Sequence, residues 1–304
     1  MASATSYAVM IGFLSSVIRL STPLLLASLG GYTSERSGTI NIALEGLSLI
    51  GAFAAAAGAH AFHSPWMGIL CGMSASIFFA AIHGYLCIQW GANQIISGIA
   101  INFLAVGLPP VVSKALYDFS GGTPQLTSLE CMPHYFFGSP LVAATLFLII
   151  LMIFIHQNHK WGQYLRFAGE HPHALQSQGI SVRRIRWQAI VLSGFFCGLA
   201  GSYLSIDHGT AFSRNMTAGR GYIALAALIV GRWTPQGASF ACLMFGFIEA
   251  SQILLQGLTL PSGNTVPVQW IQMIPYAATL LILAFYGTST KRNSFAPKAL
   301  GQPF

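Results

Sequence analysis

The amino-acid sequence predicts a single all-helical domain, over residues 1–304, that crosses a membrane about eight or nine times. Hydrophobic residues make up 54% of the chain and charged residues 7%, against roughly 25% charged residues in soluble domains. A surface with so few charges must mostly face lipid, and the mean hydropathy of +0.63 agrees. The net charge of +7 does not indicate nucleic-acid binding, because the basic residues lie in a few segments between apolar runs.

The first half of the chain contains long apolar runs that predict membrane spans. The first run, Tyr7–Gly30, is interrupted by Arg19 and Pro23. It predicts either one tilted span or an interfacial helix followed by a shorter span. The next predicted spans are Ile40–Ala59, Trp66–Ile88 and Ile95–Val112.

The second half contains four further long runs and one short run. The long runs are Leu141–Ile155, Trp187–Ile206, Gly237–Leu255 and Trp270–Tyr286. The short run, Gly221–Val230, is followed by a glycine, an arginine and a proline within residues 231–235. Because a spanning helix needs about 20 residues, this region predicts a broken or re-entrant element near 215–235.

Basic residues predict the orientation. Segment 156–186 carries five Lys or Arg residues and the C-terminal tail carries three, whereas the loop 114–140 has only Lys114. Since cytoplasmic loops are enriched in Lys and Arg, we expect 156–186 and the C-terminus in the cytoplasm and 114–140 outside. The N-terminus then lies outside if the first run spans.

Polar side chains inside apolar runs are candidates for a transport path. Asn41, Glu45 and Ser48 are spaced i, i+4, i+7, so on a helix they form one stripe. A carboxylate deep in such a run costs about 2.5–3.5 kcal/mol on insertion scales, and such residues mark pathways or paired sites. Gln94 and Asn102, eight residues apart, add a second polar face. The alternative is that these groups only satisfy backbone atoms at broken helices.

An internal repeat is a further prediction. Residues 38–47 and 219–228 share glycine, Ile-Ala-Leu and a later leucine at one constant offset. Matching interruptions in the two halves of a transporter point to its translocation site. A chance match between apolar segments is the alternative.

The sequence offers little basis for catalysis. It has no G-x-x-x-x-G-K-[ST] phosphate loop, no H-E-x-x-H and no clustered Cys/His set. Glu45 and Glu249 are the acidic residues in apolar runs, and nothing in the sequence pairs them for acid–base chemistry. We therefore expect a non-enzymatic membrane protein with no metal or cofactor of its own, and we interpret His60 and His63 as loop residues at the headgroup level.

Three motifs carry a family resemblance. They are SERSGTINIALEG at 34–46, NQIISGIAIN at 93–102 and NMTAGRGYIALAALIVGRW at 215–233. The chain resembles permease subunits of ATP-binding-cassette importers, in the nucleoside, basic-membrane-protein-linked branch of the branched-chain amino acid/simple sugar permease superfamily. The resemblance implies a type II importer fold in a bacterial inner membrane. It also implies a second, usually distinct permease, a cytoplasmic ATPase that binds ATP and Mg²⁺, and an external substrate-binding lipoprotein.

Segment 167–181 predicts a short cytoplasmic helix, which begins near Glu170 or Pro172 and ends near Gly179. The family's G-E-N-P-x-A-A-x-x-x-G-I coupling pattern is kept there, with His171 and Leu175 as departures. The resemblance thus assigns ATPase coupling to Gly169, Glu170, Pro172, Ala174, Gly179 and Ile180.

Our candidate substrate path adds three residues of the broken segment to the polar set. The full set is Asn41, Glu45, Ser48, Gln94, Asn102, Asn215, Arg220 and Tyr222. Nucleosides are the expected solutes, because amides can bond hydroxyls and base edges and aromatic rings can stack on the base. The alternatives are a sugar or flavin importer, an ATP-independent carrier and, least favoured, a membrane enzyme.

Overall fold

The computed structural model describes residues 2–133, 138–256, 268–289 and 295–302. Twelve α-helices lie within those residues, and the β-structure there is one isolated bridge between Gly122 and Ser213. The helices are α1 (Ala2–Arg36), α2 (Leu44–Phe62), α3 (Pro65–Gly84), α4 (Gln94–Tyr117), α5 (Pro140–Asn158), α6 (Lys160–Glu170), α7 (Pro172–Ser177), α8 (Val182–Ser202), α9 (Arg220–Val230), α10 (Pro235–Leu255), α11 (Val268–Gln272) and α12 (Ile274–Ser289). π-helical turns extend α3 to Gln89 and α8 to His208.

Seven helical segments in the described part of the chain are long and apolar enough to cross a membrane. They are Met10–Arg36, Leu44–Phe62, Pro65–Gln89, Gln94–Tyr117, Pro140–Asn158, Val182–His208 and Pro235–Leu255. The short α9 and the 16-residue α12 complete the set of apolar helices. The predicted polytopic helical fold is therefore confirmed. The segment between α10 and α11, residues 257–267, lies outside the described residues.

The first apolar run forms one continuous helix, although it contains Pro23. A proline has no N–H to donate to the carbonyl four residues earlier, which here belongs to Arg19. The Tyr203 hydroxyl on the α8 extension donates to that carbonyl at 3.0 Å. Because the freed carbonyl has a partner, the helix continues. Residues Met10–Arg36 of this helix are long and apolar enough to cross a membrane.

The second helix begins later than predicted, at Leu44 instead of Ile40. The Asn41 side chain accepts a hydrogen bond from the N–H of Ala43 at 3.1 Å, a local turn that competes with helix. The predicted stripe of three is therefore wrong for Asn41, which precedes the helix. Glu45 and Ser48 do lie on α2, three residues apart.

The centre of the bundle is formed by α2 and α8, which are the most buried spans. Glycines allow their close approach. A Cβ on Gly201 of α8 would meet the Ser48 carbonyl of α2, and one on Gly198 would lie 2.6 Å from Met73 on α3. Small residues thus support backbone contact in this core.

The two ends of the bundle have different contents. At one end, segment 118–133 pairs with the chain after α8, where Leu126 N–H donates to the Thr210 carbonyl at 2.7 Å and Met132 N–H to that of Ile206 at 2.9 Å. The other end, which we call the inner end, holds α6, α7, the turn after α1 and the tail 295–302. The basic segment and the tail therefore share one end.

Candidate functional site

A short helix in the second half of the chain organises the candidate site. Helix α9 has 11 residues and a length of about 16 Å, roughly half of a bilayer core. It is preceded by Gly219, at φ 84°, and followed by Arg232 and Trp233, at φ 57° and 50°. The predicted broken element near 215–235 is confirmed.

The Glu45 carboxylate caps this short helix. One carboxylate oxygen accepts the Gly219 N–H at 2.8 Å and the other accepts the Gly221 N–H at 2.6 Å. These N–H groups have no partner within α9, and the start of a helix favours negative charge. A Cβ on Gly221 would lie 2.5 Å from Glu45 Cα, so the glycine permits the contact. Glu45 is buried and joins α2 to α9.

Two amide side chains from α4 satisfy the backbone at the start of α2. The Asn102 oxygen accepts the Gly46 N–H at 2.8 Å, and its nitrogen donates to the Ile42 carbonyl at 3.0 Å. The Gln94 oxygen accepts the Ile40 N–H at 2.6 Å. These amide side chains bond backbone groups that would bond within the helix itself if the helix were continuous.

Asn41 and Tyr222 connect this network to other helices. Asn41 donates from its amide to the Ser193 hydroxyl on α8 at 2.9 Å. The Tyr222 hydroxyl, on α9, accepts from the Asn102 amide at 3.0 Å, while nearly half of the residue stays exposed. The predicted residues Asn41, Glu45, Gln94, Asn102 and Tyr222 are therefore brought together by the fold.

Ser48 and Asn215 lie outside this network. Ser48 is buried one turn after Glu45, with its carbonyl against Gly201. Asn215 is exposed in the turn before α9, at φ 56°, and its carbonyl accepts the Ala218 N–H at 3.0 Å.

A cavity of about 350 Å³ lies beside the start of α9. Its lining residues come from α1, α9, α10, α12 and the turn before α9: Leu24, Ala218, Arg220, Ile223, Phe245, Glu249, Gln252 and Pro275. The Arg220 guanidinium pairs with the Glu249 carboxylate at 2.9 Å across it. Ligand pockets commonly have volumes of about 300–1,000 Å³, so the cavity suits a small molecule.

Glu249 and Gln252 were not among the predicted path residues. A signal was available, because a carboxylate and an amide three residues apart share one face of an apolar helix. The partner of Glu249 could not be deduced from the sequence, since Arg220 lies on another helix.

At the inner end, the predicted coupling segment is two helices instead of one. Helix α6 ends at Glu170, His171 has a non-helical backbone, and Pro172 begins α7. The prediction of one helix beginning at Glu170 or Pro172 is therefore right for Pro172 only. Gly179, at φ 79°, ends the segment, and the Ile180 N–H closes it on the Leu175 carbonyl at 3.3 Å.

Contacts with α1 hold this segment in place. Glu170 pairs with Arg36 at 3.2 Å, and a Cβ on Gly169 would meet the Arg36 carbonyl. Helix α7 buries Pro172 and Leu175 and leaves Ala174 exposed. It therefore presents an exposed surface at the inner end.

Comparisons with known proteins agree with one another. A family model described as branched-chain amino acid transport system / permease component matches residues 13–283. The guanosine ABC transporter permease protein NupQ of Bacillus subtilis is 35% identical, over 93% of this chain and 92% of that protein. The nucleoside ABC transporter permease protein NupC of Lactococcus lactis is 30% identical, over 94% of each chain. In each organism a second ABC transporter permease also matches, at 25% and 22% identity.

A solved structure shares the fold. It is a metal-chelate type ABC transporter in an inward-facing conformation, with a TM-score of 0.51 and 12% identity, covering 90% of this chain and 85% of that one.

Proposed function

This chain belongs to the family of branched-chain amino acid transport system permease components, and on that premise we propose that it forms part of the membrane path of a nucleoside importer. It is a permease subunit of an ABC transporter, as its relatives are. The observation that carries the nucleoside proposal is the identity of 35% and 30% to guanosine and nucleoside permeases over more than 90% of the chain. A sugar or flavin importer and an ATP-independent carrier are less favoured.

We place the solute in the cavity beside α9. Arg220 and Glu249 offer a donor and an acceptor there, Gln252 offers both, and the Phe245 ring offers a surface for stacking a base. A nucleoside carries hydroxyls, base-edge donors and acceptors, and an aromatic ring, so each group has a counterpart.

The amides at the start of α2 have a supporting role in this proposal. Asn41, Gln94 and Asn102 each bond backbone groups at residues 40–46, and Glu45 bonds the start of α9. Groups committed to the backbone have less capacity for a solute. We therefore propose that they fix the geometry around the path, with Tyr222 at the border between the network and the exposed surface.

Energy for transport comes from a partner in this proposal. The partner ATPase binds ATP and Mg²⁺ and docks on α6 and α7, where Ala174 is exposed and Pro172, Gly179 and Ile180 set the helix ends. Its closure moves these helices, and the permease then alternates between two states whose populations are biased by the nucleotide.

The orientation and the partners follow from the same proposal. The inner end carries the basic segment 156–186, so it faces the cytoplasm with the C-terminus, and the start of α1 lies outside. The chain resides in a bacterial cell membrane. Matched permease pairs in two organisms support a distinct second permease, and an external binding lipoprotein delivers the solute.

Reconstituted transport tests the proposal. The permease pair, the ATPase and the binding protein are placed in proteoliposomes, and uptake of guanosine, adenosine, uridine, ribose, glucose and riboflavin is measured with and without ATP. We expect ATP-dependent uptake of nucleosides and co-purification of the ATPase with this chain. Uptake of sugars alone would overturn the substrate, and uptake without any ATPase would overturn the importer.

A further inference from the structure

The C-terminal tail crosses the inner end and binds to several helices at once. We call residues Phe295–Gln302 the strap. The Ala299 N–H donates to the Gly169 carbonyl at the end of α6 at 2.8 Å. The Gly301 N–H donates to the Gly38 carbonyl, in the turn between α1 and α2, at 3.0 Å. Two backbone bonds therefore tie the ATPase-facing segment to the turn that leads into α2.

Arg186 of α8 reinforces the same connection from inside. Its side chain is buried, Nε donates to the Ser37 carbonyl at 3.2 Å, and Nη1 donates to the Gln302 carbonyl at 2.8 Å. A guanidinium can make both bonds because its donors form a fixed planar fork, which a lysine lacks. One side chain therefore joins α8, the α1–α2 turn and the strap.

The strap also reaches the end of the broken helix. The Arg232 guanidinium lies 4.4 Å from the centre of the Phe295 ring, a cation–π contact. In the same turn, the Trp233 indole donates to the Glu35 carboxylate of α1 at 2.6 Å. The strap thus contacts the turn that ends α9 as well as the turn that leads into α2.

The close fit at Gly169 makes the contact specific. A Cβ at that position would lie 3.0 Å from the Pro297 Cβ and would also meet the Arg36 carbonyl. Ala299 is buried in the strap, whereas Lys298 points outward. The strap therefore packs against the coupling segment along one defined face.

We infer that the strap transmits movement between the coupling helices α6–α7 and two elements of the path, the turn that leads into α2 and helix α9. The inference rests on the proposed docking of the ATPase at α6–α7. A displacement of α6 pulls on Gly169, and the strap carries that displacement to Gly38 and, through Phe295, to Arg232. Without the strap, the ATPase still docks, but its cycle moves the path less.

The test uses the complete transporter in proteoliposomes with its binding protein. Variants are a chain that ends at residue 294, Arg186→Gln and Phe295→Ala, with Lys298→Ala as the matched control on the exposed side of the strap. Three quantities are measured: ATPase co-purification, ATP hydrolysis with and without nucleoside, and nucleoside taken up per ATP hydrolysed.

We expect the truncated chain and Arg186→Gln to retain the ATPase and to hydrolyse ATP at the basal rate. Coupling between sites is typically worth 5–150-fold, so we expect uptake per ATP to fall about tenfold. Uptake per ATP should fall less in Phe295→Ala, because this variant leaves both backbone bonds in place. Uptake per ATP in Lys298→Ala should match that of the wild type.

Unchanged uptake per ATP in the truncated chain and in Arg186→Gln would overturn the inference. Loss of the ATPase from Phe295→Ala complexes would also overturn it, because the strap would then serve assembly. A wild-type complex that fails to retain the ATPase contradicts the proposed function itself, which separates the two failures.

Discussion

The starts of α2 and α9 have similar sequences but different surroundings. Each follows a glycine with positive φ, Gly38 at 97° and Gly219 at 84°. The backbone at the start of α2 is held by amides from α4 and from Asn41, whereas the start of α9 depends on one carboxylate that α2 provides. Helix α2 is thus anchored, and α9 is attached to it. The two helix starts therefore differ in how their backbone groups are held, and the internal repeat that would explain the sequence match stays a prediction.

Removing the link between α2 and α9 should have the largest effect. Glu45→Ala leaves the part-buried N–H of Gly219 and the buried N–H of Gly221 without an acceptor, at about 1–3 kcal/mol each. We expect the free energy of unfolding to fall by about 4 kcal/mol, measured by thermal unfolding in detergent. Glu45→Gln keeps one acceptor oxygen, so its free energy of unfolding should fall by about half as much. A variant Glu45→Ala as stable as the wild type would remove the basis for the contrast.

The two glycines at the start of α9 should differ in their tolerance of a methyl group. Gly221→Ala places a Cβ against Glu45, and overpacking of this kind costs about 1–3 kcal/mol. A Cβ at Gly219 would meet open space. Gly219→Ala should therefore cost only the energy of holding an alanine in the left-handed backbone conformation, about 1 kcal/mol. Thermal unfolding of both variants checks the order, and the reverse order would show that the carboxylate contact is not tight.

The ion pair in the cavity should affect transport more than stability. Glu249→Gln weakens a partly exposed pair, which contributes about 0–1 kcal/mol to folding. We expect nucleoside uptake to fall about tenfold, which corresponds to about 1.4 kcal/mol, with little change in the unfolding temperature. The double variant Arg220→Gln/Glu249→Gln should stay impaired. If it regained wild-type uptake, the pair would be structural and the cavity would lose its assigned role.

The smallest effect should come from a carboxylate far from the starts of α2 and α9. Glu130 accepts the Thr127 N–H at 2.9 Å and lies 2.6 Å from His63, and the Thr127 N–H is the main cause that lowers the pKa of this carboxyl. A lowered pKa means that its stabilisation is present above the ordinary pKa of about 4.5 and is lost as the pH falls through the lower, folded-state pKa.

Thermal unfolding of Glu130→Gln and of the wild type, as the pH is lowered from about 7 to below the ordinary pKa of the carboxyl, tests this expectation. As the pH becomes acidic, the stability of the variant should fall less than that of the wild type. Nucleoside uptake at neutral pH should be unchanged. A parallel pH dependence in both proteins would count against the assigned role of Glu130.

Seven of the eight long runs predicted as spans coincide with helices long and apolar enough to cross a membrane, because long apolar runs have few alternatives in lipid. The eighth, Trp270–Tyr286, is divided between the short helices α11 and α12. The sequence also predicts the break after Val230, since glycine and proline follow a run too short to cross. It fails at Asn41, where a helical period was extended over a residue whose side chain bonds its own backbone two residues later. The spacing of polar residues does not show whether such a side-chain hydrogen bond replaces the helix locally.

The site was only partly predictable for a different reason. Glu45 and Asn102 could be found because polar groups in apolar runs are costly, and Arg220 because it belongs to the broken segment. The contacts of Glu45 with Gly219 and of Arg220 with Glu249 depend on how helices pack, and sequence spacing does not determine that packing. The strap was also missed, since its bonds are made by backbone atoms of Ala299 and Gly301 that carry no residue-specific signal.

The capping of α9 by Glu45 has a consequence for which metabolites can pass. A free helix start beside a cavity would attract phosphate, but here the donors of Gly219 and Gly221 are already occupied by the protein's own carboxylate. Glu249 likewise offsets the positive charge of Arg220. A phosphorylated solute would therefore meet the carboxylates of Glu45 and Glu249 and would find no unpaired N–H groups at the start of α9. For the transport path that we propose, we therefore expect uncharged compounds to be favoured, so that a nucleotide outside the cell would have to lose its phosphates before it could pass.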